Sequence, residues 1–128
     1  MATRSVIAIR ESNRIIGIYC HWDGDIDHNG KILLNNYSDE TKLRKLIENG
    51  SISSLGPRIG TKHDFNNPPK DETTFYHRDR GEPINVMNFK NAQEMMDIMN
   101  DCEYFYLWEN GNWSVSEGNE VNPLVNYL

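Results

Sequence analysis

An Asn-Gly pair at 110–111 separates two runs of strand-forming residues, and it restricts the fold more than any other feature of the sequence. The run before it, 104–108, is aromatic and apolar, and the run after it covers 113–115. Asn-Gly between two such runs is the strongest short-range signal for a β-hairpin, because both residues readily take the positive φ values of a tight turn. The sequence therefore predicts an antiparallel pair of strands in this part of the chain.

A second hairpin is predicted near the start of the sequence. Two runs rich in β-branched residues, 5–9 and 15–19, flank the polar turn formers at 11–14. Such an arrangement is typical of two strands joined by a short turn. A further strand is predicted at 73–77, where Thr, Phe and Tyr residues cluster.

Helices are predicted between the two hairpins. A short apolar segment at 31–37 predicts one helix, and Ser38 is expected to be the N-cap of the next, which ends at the Asn-Gly pair 49–50. Asn91 with Glu94 three residues later has the pattern of a capping box for another helix. Apolar side chains in the last residues predict that the tail packs against the domain.

Hairpins joined by short helices favour an α+β fold. We expect an antiparallel sheet built from hairpins, with two or three short helices packed on one face. The chain has 128 residues, which is an ordinary size for one domain with its own core. Residues 1–128 are therefore predicted to form a single domain.

The charge and hydropathy of the chain exclude several classes of protein. With 13 basic and 19 acidic residues the net charge is −6, which disfavours binding to long nucleic acid, because that needs Lys and Arg against the phosphates. The sequence contains no run of about 20 apolar residues that would predict a membrane span. The first residues do not resemble a secretory signal, and Cys20 and Cys102 match no ligand spacing, so we expect reduced thiols in a cytoplasmic protein.

The segment 57–81 departs from this acidic average. Its charged residues are Arg58, Lys62, Lys70, Arg78 and Arg80 against Asp64, Asp71, Glu72 and Asp79. The segment therefore carries +1 while the remainder of the chain carries −7, and it also contains several aromatic residues. Arginine next to aromatic faces suits recognition of a phosphate together with a base. The alternative is a charged turn in which Arg78 or Arg80 forms salt bridges with Asp79, Glu82 or a neighbouring loop.

The candidate site combines this segment with a polar loop earlier in the chain. The predicted ligand-binding residues are Lys62, His63, Tyr76, His77, Arg78 and Arg80 on one wall, and Trp22, Asp23, His28 and Asn29 on the opposite wall. We predict no catalytic residue, because the sequence has no nucleophile elbow and no phosphate-binding glycine loop.

The same polar loop has aspartates at alternate positions, as calcium loops do. In a calcium loop that starts at Asp23, the sixth residue would be Gly and the twelfth a bidentate Glu, whereas here they are His28 and Leu34. A transition-metal cluster of Cys20 and His21 with the neighbouring Asp and His residues lacks the usual pair spacing. We therefore predict neither a metal site nor a cofactor.

Several motifs resemble a family of small phage-encoded proteins. They are the Met-Ala-Thr-Arg-Ser start, Tyr-Cys-His-Trp-Asp-Gly at 19–24 with His-Asn-Gly at 28–30, and Thr-Phe-Tyr-His-Arg-Asp-Arg-Gly-Glu at 74–82. The match extends from the start of the chain to about residue 82. The resemblance implies a phage or prophage gene expressed in the cytoplasm of a bacterial host. Small phage accessory proteins often neutralise host defence by binding, so it also implies a counter-defence role.

Together these observations predict a binding protein, not an enzyme. The leading hypothesis is a counter-defence protein that sequesters a small anionic, nucleotide-like ligand, with a site that subunits of a homo-oligomer could share. The alternative is a stoichiometric protein–protein inhibitor of a host defence nuclease, similar in role to an anti-CRISPR protein. A third hypothesis is a small nucleotide hydrolase that uses His63 with Asp64 or His21 with Asp23. Neither a membrane nor long nucleic acid is an expected partner.

Overall fold

The computed structural model describes residues 2–117 and 120–127. These residues form an eight-stranded sheet in the order β4-β3-β2-β1-β6-β7-β8, and β5 also pairs with β2. The strands are β1 Ser5–Glu11, β2 Arg14–Cys20, β3 Ile52–Ser54, β4 Thr74–Phe75, β5 Met87–Phe89, β6 Tyr104–Glu109, β7 Asn112–Glu117 and β8 Glu120–Pro123. The α+β class and a sheet built mainly from antiparallel hairpins are thus confirmed. The sheet is mixed, however, because β1 pairs with β6 and β2 pairs with β3 in parallel.

Both predicted hairpins are present. Asn110 and Gly111 have φ values of 54° and 76°. Glu109 pairs with Asn112 directly beneath this turn, and Trp108 with Trp113 is the next pair. The hairpin of β1 and β2 pairs Glu11 with Arg14 at its tip. The turn chemistry read from the sequence therefore places both hairpins correctly.

The helices are short. They are a π-helical turn at Ile26–Gly30, α1 Lys31–Asn36, α2 Glu40–Glu48, α3 Tyr76–Arg80, α4 Ala92–Ile98 and a 3₁₀ helix at Leu124–Tyr127. In the part of the chain that the structure describes, no helix has the length and apolar character needed to cross a bilayer.

Two of the three helix termini agree with the sequence. Gly50 follows α2 with φ +85°, and the Asn91 side chain accepts a hydrogen bond from the Glu94 backbone N–H at 2.9 Å at the start of α4. The prediction that Ser38 caps α2 is wrong. Asp39 is the cap and accepts from the Thr41 N–H at 2.9 Å, because the Ser38 hydroxyl instead donates to the Leu34 carbonyl at the end of α1.

The strand predicted at 73–77 is shorter in the structure. β4 covers only Thr74–Phe75, and the chain then enters α3. The cause is local, since the Asp79 carboxylate accepts from the Phe75 N–H at 2.8 Å and turns the chain back immediately after the strand.

Helices cover both faces of the sheet, not the single face that we expected. The first face carries Ile7, Ile18 and Tyr106 and packs against Leu33 of α1 and Leu43 of α2. The second face packs against α4, with Met95 placed among Val6, Ala8, Phe105 and Leu107. Alternation along each strand makes both sets apolar, so both faces need a cover.

The tail packs against the domain through one of its apolar residues. Leu124 is fully buried in the core of the first face, whereas Val121 and Val125 are exposed. Leu128, which the sequence also suggested for this contact, lies outside the described residues.

Candidate ligand-binding site

A buried aspartate, Asp79, organises the hydrogen bonds of the 57–81 segment. Asp79 accepts hydrogen bonds from the backbone N–H groups of Phe75 and His63, at 2.8 Å and 3.0 Å. It also accepts from the Nε and Nη2 atoms of Arg78 at 2.9 Å and 3.0 Å. Although burial raises the pKa of this carboxyl, the Arg78 and backbone donors outweigh burial and hold the pKa below its ordinary value.

Arg78 is occupied by contacts within the chain. Besides Asp79, its guanidinium donates to the backbone carbonyls of Ile59 and Thr73, both at 2.8 Å, and it lies 4.5 Å from the centre of the Phe75 ring. Only 14% of its side chain is exposed. Arg78 thus connects the long loop to β4 and α3, as in the alternative that the sequence left open.

The histidines of the segment point to different partners. His63 Nε2 lies 3.0 Å from the Thr74 hydroxyl and 3.6 Å from Asp79 Oδ2, inside the same buried network. His77 Nδ1 lies 2.6 Å from the Glu82 carbonyl on the exposed side of α3. Lys62 is exposed on the loop. These three residues do not converge on one point.

Arg80 occupies a different environment from Arg78. Its guanidinium lies 4.4 Å from the centre of the Phe65 ring and 5.0 Å from that of Tyr76, and the two rings are 5.5 Å apart. It forms a salt bridge with Glu82, and about half of its side chain is exposed. Arg80 is therefore a cation held by aromatic rings at the surface.

A cleft of about 310 Å³ opens beside this cluster. We call it the tyrosine cleft. Its lining includes Tyr19, Ser51, Tyr76, Glu82, Met87 and Met99. Because Arg80 contacts both Tyr76 and Glu82, its guanidinium lies next to this lining.

The two tyrosines of the cleft each have an arginine beside them. Burial raises the pKa of Tyr19, and the nearby Arg4 side chain partly offsets the rise. Burial likewise raises the pKa of Tyr76, and a hydrogen bond with Ser53 and the charge of Arg80 oppose it. Both phenols are therefore neutral near pH 7 and can donate or accept a hydrogen bond.

The predicted opposite wall is only partly near the cleft. Trp22 is 43% exposed and packs edge-on against His21 with ring centres 4.7 Å apart. His21 in turn places Nδ1 2.7 Å from the Tyr19 hydroxyl, which lines the cleft. Asp23, with φ 56°, is exposed in the turn that follows.

Asn29 and His28 hold the polar loop in place instead. Asn29 is fully buried, and its amide donates to Cys20 Sγ at 3.2 Å and to the Ser5 hydroxyl at 3.4 Å. His28 Nδ1 lies 3.0 Å from the Asn29 side-chain oxygen. The Asn29 amide, which the sequence predicts in the wall of a ligand site, thus bonds within the chain itself.

Two pairings proposed for a hydrolase are different in the structure. His63 pairs with Asp79, and His21 with Tyr19. In the described residues, no three His, Cys, Asp or Glu side chains come together in a way that could hold a metal ion. Burial raises the pKa of Cys20 to about 11 and that of Cys102 to about 12, so neither thiol is activated as a nucleophile.

Sequence reasoning did not include Arg4, Tyr19 or the two methionines in the site. Tyr19 ends up in the cleft because β2 pairs with β5 through Gly17 and Met87. No turn or charge pattern in the sequence signals that long-range pairing.

The fold and the cleft define the structural class of the protein. It is an α+β domain with a mixed sheet and a small tyrosine-lined cleft that arginines flank. Comparisons of the chain with protein-family models, with curated proteins and with solved structures give no match.

Proposed function

We propose that the protein is a non-enzymatic binding module that sequesters a small anionic, nucleotide-like ligand in the tyrosine cleft. The observation that supports this proposal is the arrangement of Arg4 beside Tyr19 and Arg80 beside Tyr76, because both tyrosines line the same cleft. In a chain with a net charge of −6, an arginine beside each of these tyrosines attracts an anion locally.

The walls of the cleft suit a planar ring. Small-molecule sites are concave, mostly apolar and about 300–1,000 Å³ in volume, and they carry a few polar groups that orient the ligand. The tyrosine cleft, at about 310 Å³, lies at the lower end of that range. Met87 and Met99 provide polarisable, adaptable walls, and the tyrosine hydroxyls provide the polar groups.

The phosphate of such a ligand would bind Arg80 by replacing Glu82. The Arg80–Glu82 pair is nearly half exposed, and exposed pairs contribute only about 0–1 kcal/mol. A phosphate offers three acceptor oxygens to the planar guanidinium, and charge-assisted bonds of this kind are stronger than neutral ones.

Isothermal titration calorimetry with mononucleotides, cyclic mononucleotides and cyclic dinucleotides tests this proposal. We expect binding by at least one of them, and Arg80→Ala should weaken it about tenfold or more, since a hydrogen bond to a charged group contributes about 1.5–3 kcal/mol. Arg58→Ala is the matched control, because Arg58 is 64% exposed and also lies near a glutamate, Glu72, at 3.8 Å. Absence of heat with every nucleotide, or equal loss in both variants, would contradict the proposal.

The biological setting that we propose rests on the resemblance to phage-encoded proteins. A phage protein that removes a nucleotide signal in the cytoplasm of a bacterial host would act as a counter-defence factor by mass action, without turnover. The test is to express the wild type or Arg80→Ala in a host that carries a nucleotide-signalling defence system and to measure phage growth. We expect the wild type to protect the phage better than Arg80→Ala, which would show that protection depends on ligand binding. Equal protection of phage by the two proteins would count against this setting.

A protein–protein inhibitor of a host nuclease is the second candidate, and an acidic patch favours it. Burial raises the pKa of Tyr104, and the carboxylates of Glu117, Glu103, Asp25 and Asp27 raise it further. Carboxylates whose charge acts on one surface tyrosine could occupy a nucleic-acid-binding surface. Affinity capture from host lysate with the wild type and with the Asp25→Asn, Asp27→Asn double variant tests it, and a stoichiometric partner retained equally by both would exclude this patch.

A further inference from the structure

Three polar side chains, those of Arg4, Tyr19 and His21, lie together at the end of the β1–β2 ladder. The last pair of this ladder is Ser5 with Cys20, so one residue further along the same register Arg4 comes opposite His21. Side chains at facing positions of an antiparallel pair lie on the same face of the sheet. Because side chains alternate along β2, His21 also shares its face with Tyr19, which lines the tyrosine cleft.

The contacts of these three side chains leave hydrogen-bond donors for a ligand. His21 Nδ1 lies 2.7 Å from the Tyr19 hydroxyl, and whichever of the two groups donates in this bond, the other keeps a hydrogen for an outside acceptor. The Arg4 side chain lies beside the same phenol, and the salt bridges of the described residues do not include Arg4. All three residues are partly exposed, so an anion can reach these donors.

A row of residues across the sheet separates this cluster from Arg80. β3 pairs in parallel with β2 and antiparallel with β4, which places Tyr19, Ser51 and Tyr76 side by side. The Tyr76 N–H donates to the Ser51 carbonyl at 3.2 Å, and the Tyr19 N–H donates to the Ser51 hydroxyl at 3.3 Å. Since each step between strands is about 4.7–4.9 Å, the backbones of the two tyrosines are about 10 Å apart. Arg4 is on the β1 side of this row, and Arg80 is on the α3 side.

We propose that Arg4, Tyr19 and His21 form a second anion subsite, and that the ligand carries two phosphoryl groups at separate positions of its nucleoside. This inference rests on the proposed function and specifies the class of its ligand. One phosphoryl group binds Arg80 and the other binds the Arg4 subsite, with the nucleoside in the cleft of about 310 Å³ between them. A single phosphoryl group does not reach both ends, because a hydrogen bond spans only about 2.7–3.2 Å.

The charges along the cleft favour such a ligand. Of the described residues that line the cleft, Glu82 is the one with a carboxylate, and it already pairs with Arg80. A phosphoryl group at the Arg80 end therefore has to replace Glu82. At the Arg4 end, the salt bridges of the described residues offer no such competitor, so the second phosphoryl group gains its contacts without breaking an ion pair.

Isothermal titration calorimetry with ligands that differ in the number and position of their phosphoryl groups tests the inference. The probes are AMP, ADP, adenosine 3′,5′-bisphosphate and cyclic di-AMP, together with the four corresponding guanine compounds. ADP carries its two phosphoryl groups at one position and the bisphosphate carries them at two, so this pair separates position from charge. We expect the bisphosphate or the cyclic dinucleotide to bind about tenfold or more tightly than the mononucleotide and the diphosphate. Which of the two binds more tightly distinguishes terminal phosphates from the phosphodiesters of a cyclic dinucleotide.

Substitutions at the two ends of the cleft should have different effects. Arg4→Ala should remove the advantage of the second phosphoryl group and leave the affinity for the mononucleotide unchanged, whereas Arg80→Ala should weaken both. His21→Ala should reduce the advantage in the same direction as Arg4→Ala. The matched control is Arg14→Ala, because Arg14 begins β2 at its opposite end and is likewise absent from the salt bridges of the described residues. It should leave all affinities unchanged, and thermal melts verify that every variant is folded.

The outcomes separate this inference from the proposed function. Mononucleotide binding that depends on Arg80 but gains nothing from a second, separate phosphoryl group would overturn the inference and leave the proposed function in place. The same holds if ADP binds as tightly as the bisphosphate, or if the gain persists in Arg4→Ala. Absence of binding by every compound would contradict both.

Discussion

The buried Arg78–Asp79 pair should determine much of the stability of the region around the candidate site. In Asp79→Asn, the side chain keeps one acceptor oxygen, and an NH₂ group replaces the other. The Asp79 side chain is fully buried and accepts from four donors. At least one N–H of Arg78 or of the backbone would then face a donor, and the guanidinium would lack its counter-charge.

The expected loss is large for a single substitution. Breaking a buried ion pair by removing one partner costs about 3–5 kcal/mol, and an unsatisfied buried donor alone costs about 1–3 kcal/mol. We use about 3 kcal/mol, because Arg78 keeps its bonds to the carbonyls of Ile59 and Thr73. For a domain of this length the melting temperature should fall by about 10 °C. Urea unfolding should show the same loss as a lower midpoint with an unchanged slope.

The effect should also depend on pH in a definite direction. The pKa of Asp79 in the folded protein is lower than its ordinary value of 3.8. A group with a lowered folded-state pKa stabilises the fold fully above pH ~4, and its contribution decreases as the pH falls through the folded-state pKa. The difference in stability between the wild type and Asp79→Asn should therefore be constant near neutral pH and become smaller below pH ~4.

Asp64→Asn provides the control, because Asp64 is exposed and its side chain accepts a hydrogen bond from the Asn66 backbone N–H within its own turn. This substitution should lower the free energy of unfolding by less than about 1 kcal/mol. The reasoning would be refuted if Asp79→Asn cost no more than this control, or if its effect persisted unchanged at acid pH.

Two further predictions concern buried groups, namely the Tyr106 hydroxyl and the two cysteine thiols. Tyr106→Phe should lower the free energy of unfolding by about 1 kcal/mol, since the buried hydroxyl donates to the Gly24 carbonyl at 2.7 Å. Tyr104→Phe, measured by the same urea titration, should lower it by less. Cys20 and Cys102, whose burial raises their pKa values to about 11 and about 12, should react with iodoacetamide far more slowly at about pH 8 in the native protein than in urea. Equal modification rates in both conditions would show that these thiols are accessible.

Local signals in the sequence predict most of the elements but not their arrangement. The Asn110-Gly111 turn and the Asn91 cap depend on residues next to each other in the chain, and both are present in the structure. The pairing of β5 with β2 and the parallel pairing of β1 with β6 connect residues far apart in sequence. Such pairings follow from how the whole core packs, so the tyrosine cleft, which needs β5, could not be predicted from motifs.

The same limit explains the different roles of Arg78 and Arg80. Both were predicted ligand residues because they lie together in a locally basic segment, but α3 makes a helical turn there. Residues two apart on a helix point in directions that differ by about 200°. One arginine therefore turns inward to Asp79 and the other outward to Phe65 and Tyr76. The charge count of the segment consequently overstates the charge available to a ligand, since Arg78 is neutralised by the buried aspartate. What remains for an anion at this end of the cleft is the cation of Arg80, whose orientation depends on its two aromatic neighbours.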